Sequence, residues 1–143
     1  MTEFLPQNSL RDVILIRPKR FYDERGYFSE TYNQSVFEQN GISCRFVQDN
    51  HSLSEQVGVF RGFHFQIPPH AQDKLVRCVR GSILDIAIDI RHGSPGFGES
   101  VAVELSAENG EQLFIPKGFA HAFCTLTPET EVQYKVSAHY DKD

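Results

Sequence analysis

The sequence predicts an all-β fold, a sandwich or barrel of short strands with one short connecting helix. Most periodic segments alternate apolar and polar residues at every second position, and turn signals rich in Gly and Asn separate them at short, regular intervals. The 12 phenylalanines and 5 tyrosines also suit the half-buried, pleated surface of a sheet. With 143 residues, 40% hydrophobic and 23% charged, and with no repeat or low-complexity linker, the chain is expected to form one domain over residues 1–143.

Strands are expected at residues 13–16, 27–32, 45–52, 59–66, 74–80, 82–90, 100–105, 112–115, 119–125 and 131–136. The clearest is 82–90, where Leu84, Ile86, Ile88 and Ile90 form an apolar face and Ile83, Asp85, Ala87 and Asp89 a mixed one. Turns fall at Glu24-Arg25-Gly26, Arg80-Gly81-Ser82, His92 to Gly96, Glu108-Asn109-Gly110 and Pro116-Lys117-Gly118. The helix is residues 34–39, stopped by Asn40-Gly41 and read as a connector.

A net charge of −5 argues against a general nucleic-acid binder, so an anionic ligand has to be met by a local basic cluster. Three cysteines without CxxC spacing suggest reduced, partly buried thiols. The N-terminus has neither a charged leader nor an apolar one, and no run is long enough to span a bilayer, so a cytoplasmic location and no membrane partner are expected.

The segment Arg61-Gly62-Phe63-His64-Phe65-Gln66 is the richest in chemistry. Strand alternation puts Gly62, His64 and Gln66 on one face, with Gly62 leaving room for a ligand beside His64. A lone strand histidine is more often structural. In 45–52, Phe46, Gln48, Asn50 and Ser52 share a face, as do Phe28, Glu30 and Tyr32 in 27–32. Either face could be the solvent side of a sheet. Arg25 and Arg61 could clamp a diphosphate, and Tyr134 could carry a proton across a pocket from a histidine base.

Ile115-Pro116-Lys117-Gly118-Phe119-Ala120-His121 resembles the second cupin motif, P-x-G-x-x-H, which implies a cupin-type jelly-roll barrel. In metal-binding cupins that histidine joins an H-x-H pair and a glutamate. Here the pair reads His64-x-Gln66, and Lys74 takes the glutamate place seven positions before Gly81. An ammonium repels a divalent cation, so no metal is expected. Lys74 reads instead as a fixed cation for an enolate formed beside a ketone.

The ordered blocks Asp23 to Phe28, Phe46 to Ser52, Arg61 to Gln66, Lys74 to Arg77, Asp85 to Arg91, Gly93 to Pro95, Leu105 to Asn109, Ile115 to His121 and Tyr134-Lys135 cover nearly the whole chain. In that order they resemble the dTDP-4-dehydrorhamnose 3,5-epimerase family. The resemblance implies His64 as base, Tyr134 as acid, Lys74 as enolate-stabilising cation and His121 in the same pocket. It implies that Arg61, Gln48 and Asn50 bind diphosphate and sugar. Arg25, Phe28 and Glu30 would contact the nucleotide, in homodimers sometimes from the neighbouring subunit. The implied reaction epimerises a dTDP-4-keto-6-deoxyhexose at C3 and C5 without a cofactor; the alternatives are a mono-epimerase, a metal-dependent cupin enzyme and an inactive sugar-nucleotide binding module. Phe65 stands where the family often has Tyr. Family members also continue into a C-terminal segment whose aspartate pairs with the base, which this chain, ending at Asp143, is expected to lack. Asp85 or Asp89 could replace that carboxylate.

Overall fold

A computed structural model describes residues 1–142; the end of the chain at Asp143, on which the C-terminal expectation turns, lies outside the described residues. The strands are β1 (Glu3–Gln7), β2 (Leu10–Arg17), β3 (Arg20–Asp23), β4 (Gly26–Ser29), β5 (Gln48–Ser54), β6 (Phe60–His64), β7 (Lys74–Arg80), β8 (Ser82–Asp89), β9 (Ser100–Ser106), β10 (Gln112–Ile115), β11 (Phe119–Thr125) and β12 (Thr130–Val136). The helix α1 (Gln34–Gln39) separates β4 from β5. A six-stranded sheet, β1-β2-β10-β7-β12-β5, faces a four-stranded one, β6-β11-β8-β9, and β3 and β4 make a separate hairpin. The pairings are antiparallel, as in a jelly roll.

Between the two sheets lies one apolar core: Val13 and Leu15 of β2, Val76 and Cys78 of β7, Leu113 and Ile115 of β10 and Val132 of β12 meet Ile83, Val101, Leu105, Phe119 and Phe123 of the other sheet. A second cluster covers the outer face of the six-stranded sheet. There Phe37 of α1 is 2% exposed and packs with Ile16, Ile42, Leu75 and Phe114. Asn33 caps the helix by accepting from the Val36 N–H at 3.2 Å. The helix therefore seals a core, which its shortness in sequence does not announce.

The alternation in β8 is as expected, and it is the mixed face that turns inward. Ile83, Asp85, Ala87 and Asp89 point inward and are fully buried, while Leu84, Ile86 and Ile88 are half-buried on the outside. Two aspartates enter because each has a partner, Asp85 with His121 and Asp89 with Arg91 and Ser94. Two further expectations are corrected. Strand β5 begins at Gln48, so Phe46 leaves the inner face for the outer cluster beside Tyr32. Strand β4 ends at Ser29, so Glu30 and Tyr32 do not share a strand face with Phe28. Two strands that the alternation did not indicate, β1 and β3, lie at the rim or in the hairpin. Among the described residues no helix is long and apolar enough to cross a membrane.

Candidate active site

His64 owes its direction to a break in strand periodicity. Across the β6–β11 pair, His121 lies opposite His64 and Phe123 opposite Arg61. Two steps along β11 thus match three along β6, so β6 carries a bulge at Gly62 and Phe63. The bulge brings Arg61 and His64 to the same side of the sheet, where strict alternation would separate them. At Gly62 φ is +131°, and a Cβ there would lie 2.6 Å from the Ala122 side chain and 2.7 Å from the His121 carbonyl oxygen. Gly62 therefore admits the neighbouring backbone. The expectation that it leaves room for a ligand is corrected, because protein fills that space.

His64 lines a cavity of about 340 Å³ together with Lys74, Tyr134, Asn50 and Gln66. Lys74 opens β7 and reaches the interior beside Val136, its partner on β12. On the same strand Tyr134 is held between Val76 and Asn50, with its ring 5.7 Å from the Lys74 ammonium. An imidazole, an ammonium and a phenol thus meet from three strands. Gln66 lies beyond the end of β6, but still faces the cavity; its amide bonds the backbone of His70 and Asp141.

The cavity gathers two cations, Lys74 and Lys142, beside one carboxylate, Asp141, which pairs with His70 at 2.8 Å. Burial, followed by the charges of Lys74, His121 and Arg61, holds His64 below the usual histidine value of 6.5, which keeps the imidazole neutral and free to accept a proton. Burial lowers Lys74 to about 8, against the opposing pull of Asp85. The local basic cluster required by an acidic chain is therefore present, with Lys142 at the cavity wall adding to it.

Other expected residues lie at varying distances. Gln48 stands behind the wall, donating to Asn50 at 2.9 Å and accepting from the Tyr140 N–H at 3.2 Å. Arg61 is anchored by Ser54 and the Leu53 carbonyl, both at 3.0 Å, on the His64 side of β6. His121 does not line the cavity. It lies beneath, 4% exposed, with its ring 6.5 Å from that of Tyr134 and its Nε2 2.6 Å from Asp85. The suggestion that Asp85 or Asp89 orients His64 is corrected, since Asp85 holds His121 and Asp89 is bound to Arg91 and Ser94. Arg25, Phe28 and Glu30 are also away from the cavity: Phe28 is 71% exposed on the hairpin, and Arg25 pairs with Asp23.

Sequence reasoning missed Gln72, Tyr140, Asp141 and Lys142, which line the cavity from the loop before β7 and from the segment after β12. Neither segment has periodicity, and the hydrogen bond from Gln72 to the Ala138 carbonyl at 2.8 Å that joins them links positions far apart in sequence. An aromatic and a cation just beyond a site strand were the only local signal.

At the cupin metal positions the side chains do not suit a divalent cation. Lys74 brings an ammonium with no lone pair, Asp85 engages Nε2 of His121, and backbone groups occupy the Gln66 amide.

A two-sheet jelly roll whose interior presents an imidazole, an ammonium and a phenol in one cavity defines a cupin-type protein built for acid–base chemistry. Within that class the chain belongs to the dTDP-4-dehydrorhamnose 3,5-epimerase family, whose model matches residues 7–143. It is 54% identical over 137 residues to the dTDP-4-dehydrorhamnose 3,5-epimerase of Shigella flexneri, covering 95% of this chain and 75% of that one. The crystal structure of the Bacillus anthracis dTDP-4-dehydrorhamnose 3,5-epimerase with TDP and PPi bound is similar at a TM-score of 0.97 and 45% identity, covering 100% of this chain and 81% of that one. The Legionella pneumophila dTDP-6-deoxy-D-glucose-3,5-epimerase, in complex with dTDP-4-keto-L-rhamnose, gives a TM-score of 0.93 at 42% identity, covering 99% and 74%.

Proposed function

We propose that the chain epimerises a dTDP-4-keto-6-deoxyhexose at C3 and C5. The observation that carries this reading is the convergence of His64, Lys74 and Tyr134 on one cavity. Both carbons are α to the C4 ketone, so removing either proton gives an enolate. His64, neutral because its surroundings oppose its protonation, takes the proton. Lys74 stabilises the oxyanion, and its ammonium gains strength from the burial that surrounds it. Tyr134 returns a proton to the opposite face, inverting the centre. No step changes an oxidation state, so the reaction calls for no redox cofactor.

In this reading the chain acts as a homodimer, in which Arg25, Phe28 and Glu30 serve the partner's nucleotide site. The support is the hairpin itself: Phe21, Tyr22, Tyr27 and Phe28 are each more than half exposed on two strands that no third strand joins. An isolated hairpin of this kind is marginal unless covered. Arg61, Gln48 and Asn50 are assigned to the diphosphate and sugar.

Proton NMR of the keto-sugar in D₂O tests the reaction. Deuterium is expected at both C3 and C5 with the unaltered chain and at neither with His64→Ala, which still binds dTDP. Wash-in at one carbon would make the chain a mono-epimerase. Exchange no faster than in buffer would leave a binding protein.

A further inference from the structure

Asp85 sits at the centre of β8 with its side chain inside the barrel, 0% exposed. Its Oδ1 accepts from Nε2 of His121 at 2.6 Å. Its Oδ2 is buried without a hydrogen-bond partner among the described residues. A bare carboxylate oxygen in an interior is costly, and packing does not require one here: the neighbouring inward positions on the same strand are Ile83 and Ala87. The ion lies where two proton-binding side chains of the site come together. His121 holds one oxygen and is the cross-strand partner of His64, and Lys74 lies within electrostatic reach of the same carboxylate.

We propose that Asp85 is a positioning residue for the reaction, fixing the ring of His121 beneath His64 and supplying the interior negative charge that keeps Lys74 an ammonium. The inference rests on the reading of Lys74 as the cation that meets the enolate. A carboxylate at this depth accepts from Nε2–H, so a neutral His121 keeps its lone pair on Nδ1. The ring then has one tautomer and one orientation, and His64 faces a defined neighbour. Lys74, buried in the cavity wall with no ion pair among the described residues, has one anion within reach to offset its burial. The titratable groups facing Asp85 are His121 on β11 and Lys74 and Cys78 on β7. Behind these stand His64 and Arg61 on β6 and Tyr134 on β12, while β9 contributes Val101, Val103 and Leu105.

Asp85→Asn, which keeps the shape and removes the charge, tests this. The rate of deuterium wash-in is measured against pH for the unaltered and substituted chains, with dTDP affinity alongside. The alkaline midpoint, set by Lys74 at about 8 in the unaltered chain, is expected to fall by about one pH unit, with dTDP affinity changed less than about twofold. A profile that superimposes on the original, or a loss uniform across pH, would overturn the proposal and make Asp85 structural. Should the variant fail to fold, ¹⁵N NMR of ring-labelled unaltered protein reads the same arrangement. A proton on Nε2 of His121 is expected, and a ring protonated on Nδ1 alone would sink the idea. If the unaltered chain exchanges neither carbon, the proposed reaction fails, and Asp85's part in it falls with it, whatever the ring shows.

Discussion

Lys74 is 7% exposed, and among the described residues no carboxylate lies within ion-pair distance. Its ammonium therefore opposes folding. With a folded value of about 8 against an ordinary 10.5, the unfolded chain binds more protons between those limits. Stability consequently rises as pH increases through that window and is at its lowest, for this group, below 8. Lys74→Met is expected to raise stability at neutral pH by up to about 3 kcal/mol and to abolish the gain above pH 8, as measured by denaturant unfolding. Wash-in of deuterium should collapse in the same variant. His64 has the same sensitivity, since burial first and then the cations nearby hold its proton off. Arg61→Met should move the acid limb of the pH–rate profile upward toward 6.5; an unmoved limb would remove Arg61 from the environment of the base. That His64, Lys74 and Tyr134 would share one cavity was legible in the sequence from the ordered family blocks and from the place of Lys74 in the cupin pattern. The depth of His121 and the arrival of Tyr140 and Lys142 were not, because both depend on how distant segments stack.

At the scale of the element, periodicity located most strands and failed where geometry departs from an ideal ladder. Pro6 sits on the rim strand β1, where a missing N–H is tolerated, and this hid the strand from an alternation search. In β8 the alternation was legible but not which face turns inward, because the interior takes aspartates whose partners, His121 for Asp85 and Arg91 for Asp89, lie on other segments or beyond the strand. The bulge in β6 is the most consequential departure. Gly62→Ala adds a methyl into the Ala122 contact at a φ of +131°, and is expected to cost about 3 kcal/mol. Activity should fall further than stability explains, since relaxing the bulge swings His64 away from the cavity. Full activity in a destabilised variant would show that the base does not depend on the bulge.

For the whole molecule, charge and assembly are the relevant quantities. The chain carries a net −5, yet its cavity gathers Lys74 and Lys142 beside a single carboxylate, Asp141, with Arg61 close by. Substrate affinity should therefore weaken as salt rises, because only a local patch attracts the diphosphate. Phe28→Ala is expected to lower dTDP affinity and to shift sedimentation toward monomer together, if the hairpin completes a neighbour's site. A dimer that forms and binds dTDP unchanged would return the hairpin to a solvent role. The two strands bearing the proposed proton carriers also differ in their setting. Strand β12 is hydrogen-bonded on both sides, by β5 and β7, whereas β6 is the margin of its sheet and leans on β11 alone. Tyr134 is thus a fixed post and His64 stands on a ledge with one free side. A single imidazole that must visit two carbons, one on either side of a carbonyl, is well served by such latitude.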